Sequence, residues 1–64
     1  MRNTLKAIRK EKRMSQMEFC ELVGVKSQSH YVRIEQGADI AVSTALKIAN
    51  SLGRYVEDIW KGED

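Results

Sequence analysis

The chain has 64 residues, of which 42% are hydrophobic, and it carries a formal net charge of +2 at pH 7. Its single cysteine and single histidine exclude an intrachain disulfide and the common zinc ligand sets, and its longest uncharged stretch, residues 40–46, is too short to cross a bilayer. We therefore expect one small globular domain in the cytoplasm, without metal or cofactor, stabilised by helix packing or by oligomerisation.

Charge is unevenly distributed along the chain. Residues 1–13 contain six basic residues and one acidic residue, whereas residues 38–64 contain three basic and five acidic residues. A basic segment at one end of a near-neutral body is typical of a surface that faces a polyanion such as nucleic acid. A solvated helix face would give the same pattern, so charge alone leaves both interpretations open.

A first helix is predicted over residues 2–13, because Leu5 and Ile8 are three residues apart and share a helix face. Met14 is expected to close the corner that follows this helix. Further along the chain, glycine follows each apolar-periodic segment, at the place where a left-handed residue commonly ends a helix. These glycines occupy positions 24, 37, 53 and 62.

The second helix is predicted over residues 16–23. Ser15, followed three residues later by Glu18, is the sequence signature of a capping box. We interpret Cys20 as a core residue rather than as a redox switch, since free cysteine behaves as a small buried hydrophobe. The residues predicted to face inward are Phe19, Cys20 and Val23.

A third helix is predicted over residues 28–36, with Ser27 as its cap and with Tyr31 and Ile34 facing inward. We assign the Tyr31 ring to the core rather than to base stacking, because it lies on the same face as Ile34.

A fourth and a fifth helix are predicted over residues 42–52 and 55–60. The fourth has an apolar stripe formed by Val42, Ala45, Leu46, Ala49 and Leu52. The short fifth helix turns Val56 and Ile59 inward. Five short helices predict an all-α orthogonal bundle, because none is long enough for an up-and-down bundle.

Residues 14–37 have the layout of a helix-turn-helix. Cys20 is small enough to let the third helix cross close to the second, Gly24 permits the turn, and Val25 fills the space beneath it. In such a unit the last helix can lie in the DNA major groove while the preceding helix spans the backbone.

Four sequence blocks point to a known family. They are LxxIR at 5–9, MSQxxFCxxVGV at 14–25, RIExG at 33–37 and ALKIAxxLG at 45–53. With these blocks in this order, the chain resembles the Cro/repressor-like, XRE-type helix-turn-helix family over nearly its whole length. The resemblance implies a single five-helix, lambda-repressor-like domain over residues 1–64, with the helix-turn-helix at about 15–36. It also implies a sequence-specific transcriptional regulator of the phage or mobile-element type.

The resemblance assigns roles to individual residues. Gln16 matches a glutamine that meets the DNA backbone, and Arg9 and Glu35 match an ion pair that ties the first helix to the third. Outward positions of the third helix match residues that reach base edges, where glutamine can pair with adenine and arginine with guanine. The predicted DNA-binding residues are Gln16, Lys26, Ser27, Gln28, Ser29, His30, Val32 and Arg33.

Three departures from the family pattern favour a second interpretation. The segment from Gly24 to Ile34 is one residue longer than usual, with the extra residue near Lys26. Val32 stands where a polar residue is common, and Asp39 would repel DNA. The alternative is a protein-interaction module, such as an antirepressor or an antitoxin-like partner, that uses the same face to bind a protein.

The end of the chain carries a predicted dimer patch. The resemblance implies that Arg54, Tyr55, Trp60 and Lys61 could pair two copies, although Trp60 could instead complete the core. We expect double-stranded DNA as the partner, with a homodimer or a regulatory protein as further partners and no membrane. No serine has a His–Asp pair to activate it and no glycine-rich phosphate loop is present, so we expect neither enzymatic activity nor a small-molecule ligand.

Overall fold

Residues 2–60, which the computed structural model describes, form five helices. Within these residues an isolated antiparallel β-bridge pairs Asn3 with Trp60. The predicted all-α architecture is therefore confirmed. The helices are α1 (Leu5–Glu11), α2 (Gln16–Val23), α3 (Gln28–Glu35), α4 (Val42–Leu52) and α5 (Val56–Ile59).

Helix α1 is shorter than the predicted 2–13. At its start, the side chain of Asn3 accepts a hydrogen bond from the Leu5 amide at 3.1 Å and donates one to the Ile34 carbonyl at 2.7 Å. These bonds hold the first residues against α3 instead of in a helix. At the other end Arg13 adopts φ 57°, a left-handed conformation that a right-handed helix cannot contain.

Helix α2 begins and ends as its sequence predicts. The Ser15 hydroxyl accepts a hydrogen bond from the Glu18 amide at 3.1 Å, and the Glu18 carboxylate accepts one from the Ser15 amide at 2.8 Å. These bonds lower the pKa of Glu18. At the C-terminal end Gly24 takes φ 76°, which closes the helix and starts the turn.

The core is formed by one face of each helix. Cys20 is buried, as predicted, and its thiol donates a hydrogen bond to the Val25 carbonyl at 3.0 Å. Burial raises the pKa of this thiol. The rings of Phe19 and Tyr31 are in tilted contact, with centroids 5.6 Å apart. The buried residues are Leu5, Ile8, Phe19, Cys20, Val23, Tyr31, Ile34, Ala45, Ile48, Ala49, Ile59 and Trp60.

The predicted inner stripe of α4 is wrong at two positions. Val42 and Leu46 are 75% and 49% exposed, whereas Ile48, outside the predicted stripe, is fully buried. Two overlapping apolar stripes run along this helix, and α2 and α5 pack against the one that contains Ile48. Val42 and Leu46, on the other stripe, remain at the surface.

Alanine at Gly24 or Gly53 should destabilise the fold by about 1–2 kcal/mol, because both glycines have positive φ, at 76° and 65°. A Cβ at Gly24 would also lie 2.9 Å from Cε of Lys47, a flexible side-chain end that can move. Among residues 2–60, a Cβ at Gly53 would meet nothing within 4 Å. Gly53→Ala therefore measures the conformational cost alone, and Gly24→Ala adds the Lys47 contact. Urea unfolding measures both, and either variant matching the parent protein would contradict the prediction.

Candidate nucleic-acid interface

The helix-turn-helix is formed by α2, a turn over residues 24–27 and α3. The hydroxyl of Ser27 accepts a hydrogen bond from the His30 amide at 3.3 Å, which starts α3 at Gln28 as predicted. Val25 is partly buried and packs against the core beneath the turn. The turn that contains Lys26 therefore ends at Ser27, the cap of α3.

Helix α3 is sharply divided into an inner and an outer face. Tyr31 and Ile34 are fully buried, and Val32 is partly buried. Arg33 is exposed and forms no ion pair with any other residue in 2–60. The other predicted DNA-binding residues exposed on α3 or on the turn are Lys26, Ser27, Gln28, Ser29 and His30.

Gln16 lies apart from these residues, at the first position of α2, where it is partly buried. Its amide nitrogen donates a hydrogen bond to Oε1 of Glu35 at 3.4 Å. The structure therefore links Gln16 to the last residue of α3, not to the exposed face of that helix.

Glu35 is the centre of a hydrogen-bond network that joins α1, α2 and α3. Arg9 donates from Nε to Oε2 at 3.0 Å and from Nη2 to Oε1 at 3.3 Å, and its Nη1 donates to the Met14 carbonyl at 3.2 Å. The side chains of Arg9 and Glu35 are only 12% and 6% exposed. Tyr31 adds a hydrogen bond from its hydroxyl to Oε2 at 2.6 Å.

The sequence predicts the Tyr31 ring in the core but assigned no role to its hydroxyl, although its spacing from Glu35 indicates one. Tyr31 precedes Glu35 by four residues, which is the spacing at which two side chains meet on one side of a helix.

The environment shifts the pKa values of this network. Burial by itself would raise the pKa of Glu35, but hydrogen bonds from Arg9, Tyr31 and Gln16 and the Arg9 charge outweigh it, so the pKa is lowered. The hydrogen bond to Glu35 raises the pKa of Arg9, and burial together with the Glu35 contact raises that of Tyr31. All three shifts favour a charged Glu35–Arg9 pair and a neutral Tyr31.

Stability should fall as the solution becomes acidic, because the folded pKa of Glu35 lies below its unfolded value. The contribution of this carboxylate is complete above the unfolded pKa of about 4.3 and is lost as pH falls through the lowered folded value. In the parent protein the free energy of unfolding should decrease below pH 5. In Glu35→Gln, measured by urea unfolding in the same way, most of this decrease should be absent. Glu21→Gln, an exposed position with the same charge change, is the control. An equal effect of both variants would contradict the assignment.

A basic surface lies on and just after α1. Glu11 contacts Arg54 at 3.9 Å, but both side chains are well exposed, so this ion pair contributes little. Arg9 is held in its ion pair with Glu35, and the remaining cations of this segment are exposed without an ion-pair partner within residues 2–60. The exposed cations are Lys6, Lys10, Lys12 and Arg13.

The sequence left Trp60 open between the core and a dimer patch. This residue is 5% exposed and belongs to the core, because it pairs with Asn3 and follows the buried Ile59. Its indole nitrogen has no hydrogen-bond partner within residues 2–60. Tyr55 is 74% exposed, and Arg54 is also at the surface. Lys61 lies outside the described residues.

An apolar groove of about 310 Å³ lies between α4 and α5. The sequence reasoning missed it, because it placed Val42 in the core. Its lining residues are Ile40, Val42, Ala45, Val56, Glu57 and Trp60.

The sequence matches the model of a helix-turn-helix family over residues 5–59. No curated protein matches the chain significantly. None of the helices in the described part of the chain is long and apolar enough to cross a membrane. The match covers every helix, including the capped α2, the turn at Gly24 and the divided α3. The chain therefore belongs to the Cro/repressor-like, XRE-type helix-turn-helix family of DNA-binding regulators.

Proposed function

We propose that the protein is a sequence-specific transcriptional regulator of the phage or mobile-element type and that α3 reads the DNA major groove. The observation that carries this proposal is the division of α3. Its apolar side chains, Tyr31 and Ile34, are fully buried, whereas Gln28, Ser29 and Arg33 are exposed. A short helix with a buried aromatic anchor and an exposed polar face suits insertion into the major groove.

Within this proposal the exposed side chains have different tasks. Gln28 pairs with an adenine and Arg33 with a guanine, since each offers the two hydrogen-bonding groups that these bases require. Val32, partly buried at the edge of α3, can contact a thymine methyl group. Phosphate contacts come from Gln16, from the turn and the start of α3 at Lys26, Ser27 and His30, and from the exposed cations of α1.

We also propose that two copies act together on a pseudo-palindromic site, each through a single domain over residues 1–64. Two recognition helices would then meet half-sites about 34 Å apart. The exposed Tyr55 and Arg54 and the apolar groove between α4 and α5 support this pairing surface. The buried Trp60 forms part of the wall of that groove. In this proposal the protein works at the nucleoid, in the cytoplasm of a bacterial or phage-infected cell.

Enrichment of bound duplexes from a random pool, repeated over a range of salt concentrations, tests the proposed function. We expect a palindromic motif, with log Kd changing by about 0.9 for each phosphate neutralised per tenfold change in salt. Weak binding without an enriched motif would overturn the proposal. Binding of a protein partner that Arg33→Ala weakens would then support the interaction module.

A further inference from the structure

The hydroxyl of Tyr31 is a buried polar group at the core edge of α3. The side chain is fully buried, and its hydroxyl donates to Oε2 of Glu35 at 2.6 Å. The ring by itself would fill the core and contact Phe19 equally well as phenylalanine. Burying a hydroxyl costs free energy unless it is hydrogen-bonded, so we expect the hydrogen bond of this hydroxyl to Glu35 to have a function.

The two carboxylate oxygens of Glu35 accept hydrogen bonds from different sets of donors. Oε2 accepts from Arg9 Nε and from the Tyr31 hydroxyl, and Oε1 accepts from Arg9 Nη2 and from Gln16 Nε2. An ionised carboxylate offers about four acceptor positions, so the contacts from three helices occupy the whole group. Since Tyr31 helps to fix Oε2, the carboxylate cannot rotate freely, and Oε1 remains directed towards Gln16.

The Gln16 side chain is thereby held in place before it meets DNA. Its amide nitrogen has two N–H groups, of which one donates to Glu35 at 3.4 Å. The second N–H has no partner within residues 2–60 and matches the acceptor chemistry of a phosphate oxygen. Fixing a flexible side chain in advance lowers the entropy cost of immobilising it on binding.

We propose that Tyr31 is a positioning residue, which acts through Glu35 to orient Gln16 for the DNA backbone. This inference rests on the proposed function. Tyr31 touches no DNA in it; its hydroxyl connects the buried side of α3 to the phosphate-facing start of α2. The chain thus couples the placement of its recognition helix to one backbone contact through a single carboxylate.

A double-mutant cycle tests this coupling. Kd is measured at fixed salt, on the duplex enriched from the random pool, for the parent chain, Tyr31→Phe, Gln16→Ala and the double variant. We expect Tyr31→Phe to weaken binding by about three- to tenfold, the effect of one modest hydrogen bond, and to have little effect when Gln16 is already alanine. Ser51→Ala, which also deletes a donating hydroxyl, is the control and should leave Kd unchanged. An equal loss in both Gln16 backgrounds would show that Tyr31 is only structural and would overturn the proposal.

NMR of the free protein provides a readout that needs no DNA. In the parent chain the two Gln16 amide protons should differ in chemical shift by more than those of a free glutamine side chain, because only one is hydrogen-bonded to a carboxylate, and Tyr31→Phe should move the difference towards the free value. A difference equal to the free value in the parent chain, or one that ignores the substitution, would overturn the inference. A chain that enriches no duplex overturns the proposed function, and the DNA role of Tyr31 with it. A chain that binds its duplex but shows no coupling in the cycle overturns the inference on Tyr31 alone.

Discussion

Replacing Gln28 and Arg33 together with alanine should abolish specific DNA binding. Both side chains are exposed on α3, so the fold should tolerate the change. Each good contact with a base edge contributes about 1–3 kcal/mol of discrimination, so losing two should raise Kd for the enriched duplex by about 30-fold to 10⁴-fold. Fluorescence anisotropy on the enriched duplex and on a scrambled duplex measures the loss of discrimination directly.

Lys10→Ala is the matched comparison, because it removes one exposed cation from α1 and not from α3. We expect it to weaken binding to both duplexes about equally and to reduce the salt slope by about one, as for a phosphate contact. The proposed role of α3 would be contradicted if the Gln28 and Arg33 double variant kept the parent discrimination. The recognition surface would then have to lie elsewhere on the chain.

Removing either partner of the Arg9–Glu35 ion pair should strongly destabilise the protein. Glu35→Leu leaves Arg9 with a charge that is only 12% exposed, and Arg9→Met leaves the carboxylate at 6% exposure. Breaking a fully buried pair in this way costs about 3–5 kcal/mol, and because this pair is partly buried we expect a loss near the lower end, about 3 kcal/mol. A domain of this size has only a few kcal/mol of stability, so either variant should be largely unfolded at 37 °C. Urea or thermal unfolding followed by circular dichroism measures the effect.

The double variant Arg9→Met with Glu35→Leu should be more stable than either single variant, since no uncompensated charge remains. Glu11→Leu provides the contrast. Its ion pair with Arg54 is 3.9 Å long and exposed, and such pairs contribute about 0–1 kcal/mol. A Glu35→Leu variant no less stable than Glu11→Leu would show that the pair does not hold α1 to α3.

Features that depend on residues close in the chain could be predicted from the sequence. The start of α2 follows from Ser15 and Glu18, and the start of α3 from Ser27, because a cap acts across three residues. The outer face of α3 also follows, since Tyr31 and Ile34 fix which side of that helix is buried. The exposure of Gln28 and Arg33, the main predicted base-reading residues, could therefore be predicted from local sequence patterns.

Features that depend on distant contacts could not be predicted in this way. The shorter start of α1 is caused by the bond from Asn3 to Ile34, which are 31 residues apart. The buried face of α4 was chosen by the helices that pack on it, because both apolar stripes satisfy the same helical period.

The same distinction between local and distant contacts applies to the candidate nucleic-acid interface. The sequence by itself determined that the chain forms a helix-turn-helix and which side of α3 faces outward, because those properties are set by residues within one or two helical turns. Only the tertiary structure decided that Glu35 accepts hydrogen bonds from Arg9, Gln16 and Tyr31, and that Trp60 lies in the core. A helical period specifies which residues share a face, but only the packing of one element on another specifies which face is covered and which polar atoms meet there.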